Sequence, residues 1–164
     1  MPATYEPIAT TTLGSAAASI TFSSIASSWT DLRLAIYGIA SSGNFLSPGC
    51  RFNSDTASNY SYTALYGDGT TAGSNRVTSS TSIGFNTQAS ITSSIGGFLT
   101  ADIFSYAGST NKTVLTTGSV DLNGSGEVER IVGLWRNTSA ITTVTLNGSF
   151  GAGTTATLYG IKNA

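Results

Sequence analysis

Glu127 and Glu129 stand two residues apart in "GEVERIVGLW", so on an extended strand their carboxyl groups share one face with Cα atoms about 7 Å apart. Paired carboxylates at such spacing are the minimum equipment for glycoside hydrolysis, one acting as acid and the other as base or nucleophile. The plainer expectation is that both are solvent-facing charges near the start of a strand, with Arg130 turned to the opposite face. Asp102 in "FLTADIF" shares a face with Thr100 and Phe104, which predicts a solvent or interface position paired with one of the arginines. In "RFNSDTASNYSYTALYGDG", Asn53, Asp55, Asn59 and Asp68 offer oxygen ligands to calcium, but not at the spacing of a D-x-D-x-D-G loop. "GDG" also reads as a turn, with Asp68 capping a local amide.

The rest of the usual catalytic equipment is missing. The chain has no histidine, which removes the Ser-His-Asp triad, the Cys-His pair and imidazole metal sites. A Ser-Lys pair would have to use Lys112 or Lys162. Cys50 is alone, which excludes an internal disulfide and a thiolate zinc cluster and predicts a small, half-buried strand residue. "GTTAGSN" lacks the lysine of a phosphate loop. These absences predict a non-enzyme with no cofactor.

Aromatic residues are the other candidates. Tyr60, Tyr62 and Tyr66 fall on one parity of a strand and form a row that can pack inward, meet another subunit or contact a glycan. Trp135 with Arg136 allows the same three readings, with Asp68 in the neighbouring loop joining a binding surface. Trp29 in "SSWTDLRL" reads as an anchor between loop and strand.

The elements that must hold these residues are strands. Leu32, Leu34 and Ile36 alternate with Arg33, Ala35 and Tyr37, and similar alternation recurs in "SITFSSI", "YSYTALY", "FLTADIF", "KTVLTTGSV", "VERIVGLW", "ITTVTL" and "TATLYGI". Adding a first strand from Tyr5 to Leu13 and short ones near Cys50 and Ile83 gives about ten strands and an all-β chain. The gaps at Ala40 to Pro48 and Gly67 to Thr81 read as surface loops. Uneven strands and long gaps favour a jelly-roll-like antiparallel β-sandwich over an up-and-down barrel, and residues 1–164 read as a single domain.

Composition bounds the partners. Charged residues are only 9% of the chain and the net charge is −1, so no basic stripe is available for nucleic acid. Ser and Thr crowd the sequence, predicting a hydroxyl-rich surface. The start carries no basic and apolar leader, and no run of about eighteen apolar residues occurs, so neither an export signal nor a membrane helix is expected.

With the strands laid out, "YEPIATTTLGSAAASITFSSI", "TDLRLAIYG", "FNSDTASNYSYTALYGDG", "IVGLWRNTSAITTVTL" and "TLYGIKNA" together resemble a family of small virion proteins of tailed bacteriophages, including cyanophages. The likeness covers Tyr5 to Lys162 and departs at Ala26–Ser27, where such proteins often carry a proline. The resemblance implies a part of the phage particle, assembled in the cytoplasm of the bacterial host. It implies either a capsid cement or decoration protein on the outer face of the head, or a head-fibre or tail-fibre receptor-binding module with a surface glycan as partner. It further implies a homotrimer contacting the major capsid protein or other virion proteins. The chain shows no fibrous shaft before Ala164, which favours the cement reading. It brings no catalytic residues with it.

Overall fold

The computed structural model describes residues 5–43 and 45–162. Twelve strands and no helix occur among them: β1 (Tyr5–Thr12), β2 (Ala17–Phe22), β3 (Asp31–Gly38), β4 (Gly49–Phe52), β5 (Tyr60–Gly67), β6 (Ala72–Ser80), β7 (Ile83–Gly84), β8 (Gly97–Phe104), β9 (Lys112–Asp121), β10 (Gly126–Trp135), β11 (Val144–Phe150) and β12 (Thr155–Ile161). They form an eight-stranded sheet, β1-β12-β3-β8-β9-β10-β5-β6, and a four-stranded sheet, β2-β11-β4-β7. Every strand pairing among the described residues is antiparallel.

The order is that of a jelly roll with two insertions. Setting aside β5-β6 and β9-β10 leaves β1-β12-β3-β8 facing β2-β11-β4-β7, the two interlocked Greek keys of that architecture. The inserted pairs extend only the first sheet, which is why the two sheets differ in width.

Alternation in the sequence decides what is buried. Leu32, Leu34 and Ile36 of β3, Leu99, Ala101 and Ile103 of β8, and Ala156 and Leu158 of β12 point inward, where they meet Ile20 and Phe22 of β2, Cys50 and Phe52 of β4, and Val144, Leu146 and Phe150 of β11. Cys50 is completely buried rather than half-buried, and burial pushes its thiol well above the usual range.

Beyond the edge of the four-stranded sheet, the inner face of β9, β10 and β5 needs another cover. A strap from β7 to Ile95 supplies it. Ile83 lies so close to Gly133 that a Cβ there would sit 2.5 Å from its Cγ2, and the strap's own Phe85, Ala89 and Ile91 are buried in the core. Asn86, also buried, braces the strap by donating to the carbonyls of Leu46 and Ala89, both at 2.7 Å, and accepting from the Ala89 amide at 2.9 Å.

The expected loop from Gly67 to Thr81 is mostly a strand. β6 pairs with β5 from Gly67↔Ala72 to Tyr60↔Ser80, with a bulge near Tyr62. Its sequence, "AGSNRVTSS", has almost no apolar alternation because an edge strand with little buried surface needs none. The "ITTVTL" strand likewise starts only at Val144, since Thr142 and Thr143 donate their amides to the Asn53 side chain instead of a sheet neighbour.

Candidate functional site

Arg51 to Gly69 resolves into an anchor, a strand and a turn. Asn53 and Ser54 have φ of 51° and 58°, the left-handed conformation that tightens the turn after β4. Asn53 then clamps the chain before β11: its Nδ2 donates to the Ala140 carbonyl at 2.7 Å, and its Oδ1 accepts the amides of Thr142 at 2.8 Å and Thr143 at 3.2 Å. Asp55 accepts from the Ala57 amide and Asn59 Nδ2, each at 2.9 Å, and from the Trp135 indole at 2.8 Å. The donors of Asn59 and Trp135 hold its carboxyl below the usual carboxylate range. The oxygens of Asn53 and Asp55 therefore face N–H donors. Asp68 lies at the far end of β5, a strand of eight residues spanning roughly 26 Å, so Asp55 and Asp68 do not converge on one ion.

The tyrosine row faces inward. Tyr60 is completely buried in an aromatic cluster, with ring centroids 6.4 Å from Phe52 and 6.2 Å from Trp135. Its hydroxyl accepts the Phe52 amide at 3.1 Å and donates to the Asp55 carbonyl at 3.2 Å; burial raises its pKa to about 12. Tyr62 is half-buried against the core near Gly84. Trp135 is also completely buried, so neither Tyr60 nor Trp135 presents a ring to a ligand or another subunit. The Arg136 guanidinium donates to the backbone carbonyls of Ser58 at 2.8 Å and of Tyr60 and Thr78 at 3.4 Å, tying the base of the β5-β6 hairpin.

Glu127 and Glu129 correct the expectation of solvent-facing charges. Their parity is that of Ile131, Gly133 and Trp135, so both turn inward beneath the strap. Glu129 is 1% exposed and accepts from the amides of Thr87 at 2.7 Å and Gln88 at 3.3 Å and from the Thr87 hydroxyl. Glu127 accepts from the Ser90 amide and hydroxyl. The pair clamps the strap. Arg130 does face the other way, as expected. Lys112 is buried, with its ammonium donating to the carbonyls of Gly108 and Thr110. Trp29 does anchor its loop: its amide donates to the Tyr106 hydroxyl at 3.2 Å, its ring packs on Gly160, and the Lys162 ammonium lies 5.0 Å from the ring centre.

Two surfaces remain open. The first is the outer face of the eight-stranded sheet. Of the eight large hydrophobic residues most exposed among those described, Tyr5, Tyr37, Leu65, Phe98, Phe104, Val128 and Val132 all lie on it, and only Phe45 lies elsewhere. Cross-strand pairing sets them in rows, one running Tyr159, Arg33, Asp102, Leu115, Val132, Thr63, Arg76. Asp102 meets Arg33 there at 3.5 Å, the ion pair expected for it. The remaining positions are largely threonine, including the hydroxyl pairs Thr10–Thr157 and Thr12–Thr155 at 3.0 Å. By contrast, the outer face of the four-stranded sheet carries Ser19, Thr21, Arg51, Thr145 and Asn147, all polar. One face of the sandwich is dressed for water and the other is not.

The second surface is a cleft of about 220 Å³ at the end of the sandwich, between the β5-β6 turn, the start of β10 and the strap; Tyr66, Asp68, Thr71, Gln88 and Glu127 line it. Asp68 Oδ1 accepts the amides of Thr70 at 2.8 Å and Thr71 at 2.6 Å and the Thr70 hydroxyl at 2.8 Å, which holds the carboxyl below its usual range.

No protein-family model matches the chain, and no curated protein matches it.

The sequence reading thus reached Tyr66 and Asp68, which the structure brings into one cleft, but separated them from Glu127 and passed over Gln88. A signal for Glu127 existed in the shared parity with Ile131 and Trp135. Gln88 had none, because its place depends on how the strap crosses β10.

Proposed function

We propose that the protein is a structural component of a tailed-bacteriophage virion: a capsid cement or decoration subunit that assembles through the outer face of its eight-stranded sheet. The partners in this reading are further copies of the chain, as a homotrimer, and the major capsid protein or another protein of the shell. The observation that carries it is the concentration of exposed apolar side chains on that one face, while the opposite face of the sandwich is polar. Eight strands at about 4.8 Å spacing and four outward rows give a face of roughly 34 by 23 Å, on the order of 800 Å², which is about the area each partner contributes to a standard stable interface. Threonine hydroxyls between the apolar residues add many weak, evenly spread contacts. The resemblance to small phage virion proteins points the same way.

Leu65 and Val132 are 62% and 49% exposed, so charges placed there disturb the surface and not the core. The expected result for Leu65→Glu with Val132→Glu is an unchanged thermal midpoint, conversion of the trimer to a monomer in sedimentation at micromolar concentration, and loss of co-sedimentation with phage heads. A wild-type protein that sediments as a monomer and ignores the particle overturns the reading. The second reading, a head-fibre or tail-fibre receptor-binding module, has the end cleft in its favour.

A further inference from the structure

The geometry points to the end cleft as a binding site for a neutral saccharide, one hexose unit at a time. This deepens the receptor-binding reading but needs no particular place on the particle, since a decoration subunit would carry the same cleft outward.

The cleft lies in a different part of the surface from the middle of the apolar face, and its chemistry is different. Asp68 Oδ2, the Gln88 side-chain amide, the Thr71 hydroxyl and the Tyr66 hydroxyl have no hydrogen-bond partner among the described residues. A concave site with an aromatic wall and several free polar groups is the ordinary form of a small-ligand site. What those groups ask for follows from their types. Carboxylates only accept, while the amide and the hydroxyls both donate and accept, so the ligand must offer several groups that do both. Alcohol hydroxyls do. Two carboxylates, Asp68 and Glu127, with no lysine or arginine in the lining, repel anions such as phosphates or acidic sugars. A divalent cation is poorly served, because calcium takes six to eight oxygens and the described residues hold no cluster of three potential acidic, histidine or cysteine ligands.

The site is also held in shape before any ligand arrives. The far end of the Tyr66 ring lies over Gly73, where a Cβ would come within 2.6 Å of its Oη and Cζ, so a side chain there would displace the ring. Asp68 is fixed by Thr70 and Thr71, and Glu127 by Ser90. Groups already immobile lose little freedom on binding, and the apolar face of a sugar ring can lie on the tyrosine. A single hexose in so small a cleft binds on the order of millimolar, and several clefts on one assembly multiply that weak hold on a repeating polysaccharide.

Saturation-transfer NMR on the full chain, with glucose, galactose, mannose and N-acetylglucosamine at millimolar concentration and a chelator present, tests this. Saturation transfer to at least one of them is expected, with affinity about tenfold weaker in Gln88→Ala, whose side chain is exposed and whose loss leaves the fold intact. Tyr66→Phe keeps the ring on Gly73 and is expected to weaken binding a few-fold. Absence of transfer to all four sugars, equal transfer to wild type and Gln88→Ala, or, in a separate protein amide spectrum recorded without chelator, resonances of Asp68 and Gln88 that move with calcium and not with any sugar overturn the assignment. Failure here with intact particle association removes only the saccharide site, and the reverse result removes only the shell reading.

Discussion

Removing the Asp55 carboxylate should unfasten the aromatic end of the core. Its three donors differ in what they lose. Ala57 is exposed and Asn59 half-buried, so their N–H groups turn to water when the carboxylate goes. Trp135 is 0% exposed, so its indole N–H, 2.8 Å from Asp55 Oδ2, depends on that carboxylate for its protein acceptor. Asp55→Ala therefore loses a hydrogen bond to a charged acceptor, worth about 1.5–3 kcal/mol, and strands a buried donor at about 1–3 kcal/mol, partly the same energy counted from two sides. A net loss of about 3 kcal/mol is expected. For a chain of this size that lowers the thermal midpoint by roughly 6–12 °C. Asp55→Asn can keep its one amide oxygen on the indole and loses the charge and the acceptor for the exposed Ala57 amide, so a smaller loss of about 1 kcal/mol is expected. Urea unfolding followed by far-ultraviolet circular dichroism, at fixed protein concentration and with an unchanged slope, measures both. In a double-mutant cycle with Trp135→Phe the coupling should exceed about 1 kcal/mol. A loss below about 0.5 kcal/mol in Asp55→Ala, or strict additivity with Trp135→Phe, refutes the claim that this bond fastens the cluster.

Three further outcomes follow from the same structure. Asp55 is held below its ordinary range by Asn59 and then Trp135, so its contribution is complete above the unfolded value of about 3.9 and is lost as pH falls through the lower folded value; the urea midpoint of wild type should drop more steeply below pH 4 than that of Asp55→Asn. Glu129→Ala strands the Thr87 and Gln88 amides under the strap and should cost about 3 kcal/mol, with hydrogen exchange at Thr87 to Ser90 accelerating more than in β3 or β8. Cys50, buried in β4 with its thiol pushed far up, should resist a thiol reagent at pH 8 in the folded protein and label fully in denaturant; rapid labelling of the native state would show that the four-stranded sheet opens.

The amino-acid sequence determined by itself everything that a two-residue period can carry. Leu32, Leu34 and Ile36 had to face away from Arg33 and Tyr37, and Asp102 had to share a side with Thr100 and Phe104, because a strand has only two faces. That period cannot say which face meets solvent or how far a sheet extends. β6 was hidden because it sits at the edge of the larger sheet and buries too little to need an apolar pattern. Glu127 and Glu129 read as surface charges until the strap crossed above them, and the Tyr60 ring could have faced any of three neighbours until Trp135 closed over it from β10. Those contacts join residues some forty to eighty positions apart, as the separation of 42 positions from Thr87 to Glu129 and of 80 from Asp55 to Trp135 illustrates. Only the crossing of the chain brings such groups together, since local periodicity fixes direction along a strand and says nothing about which distant segment lies above it.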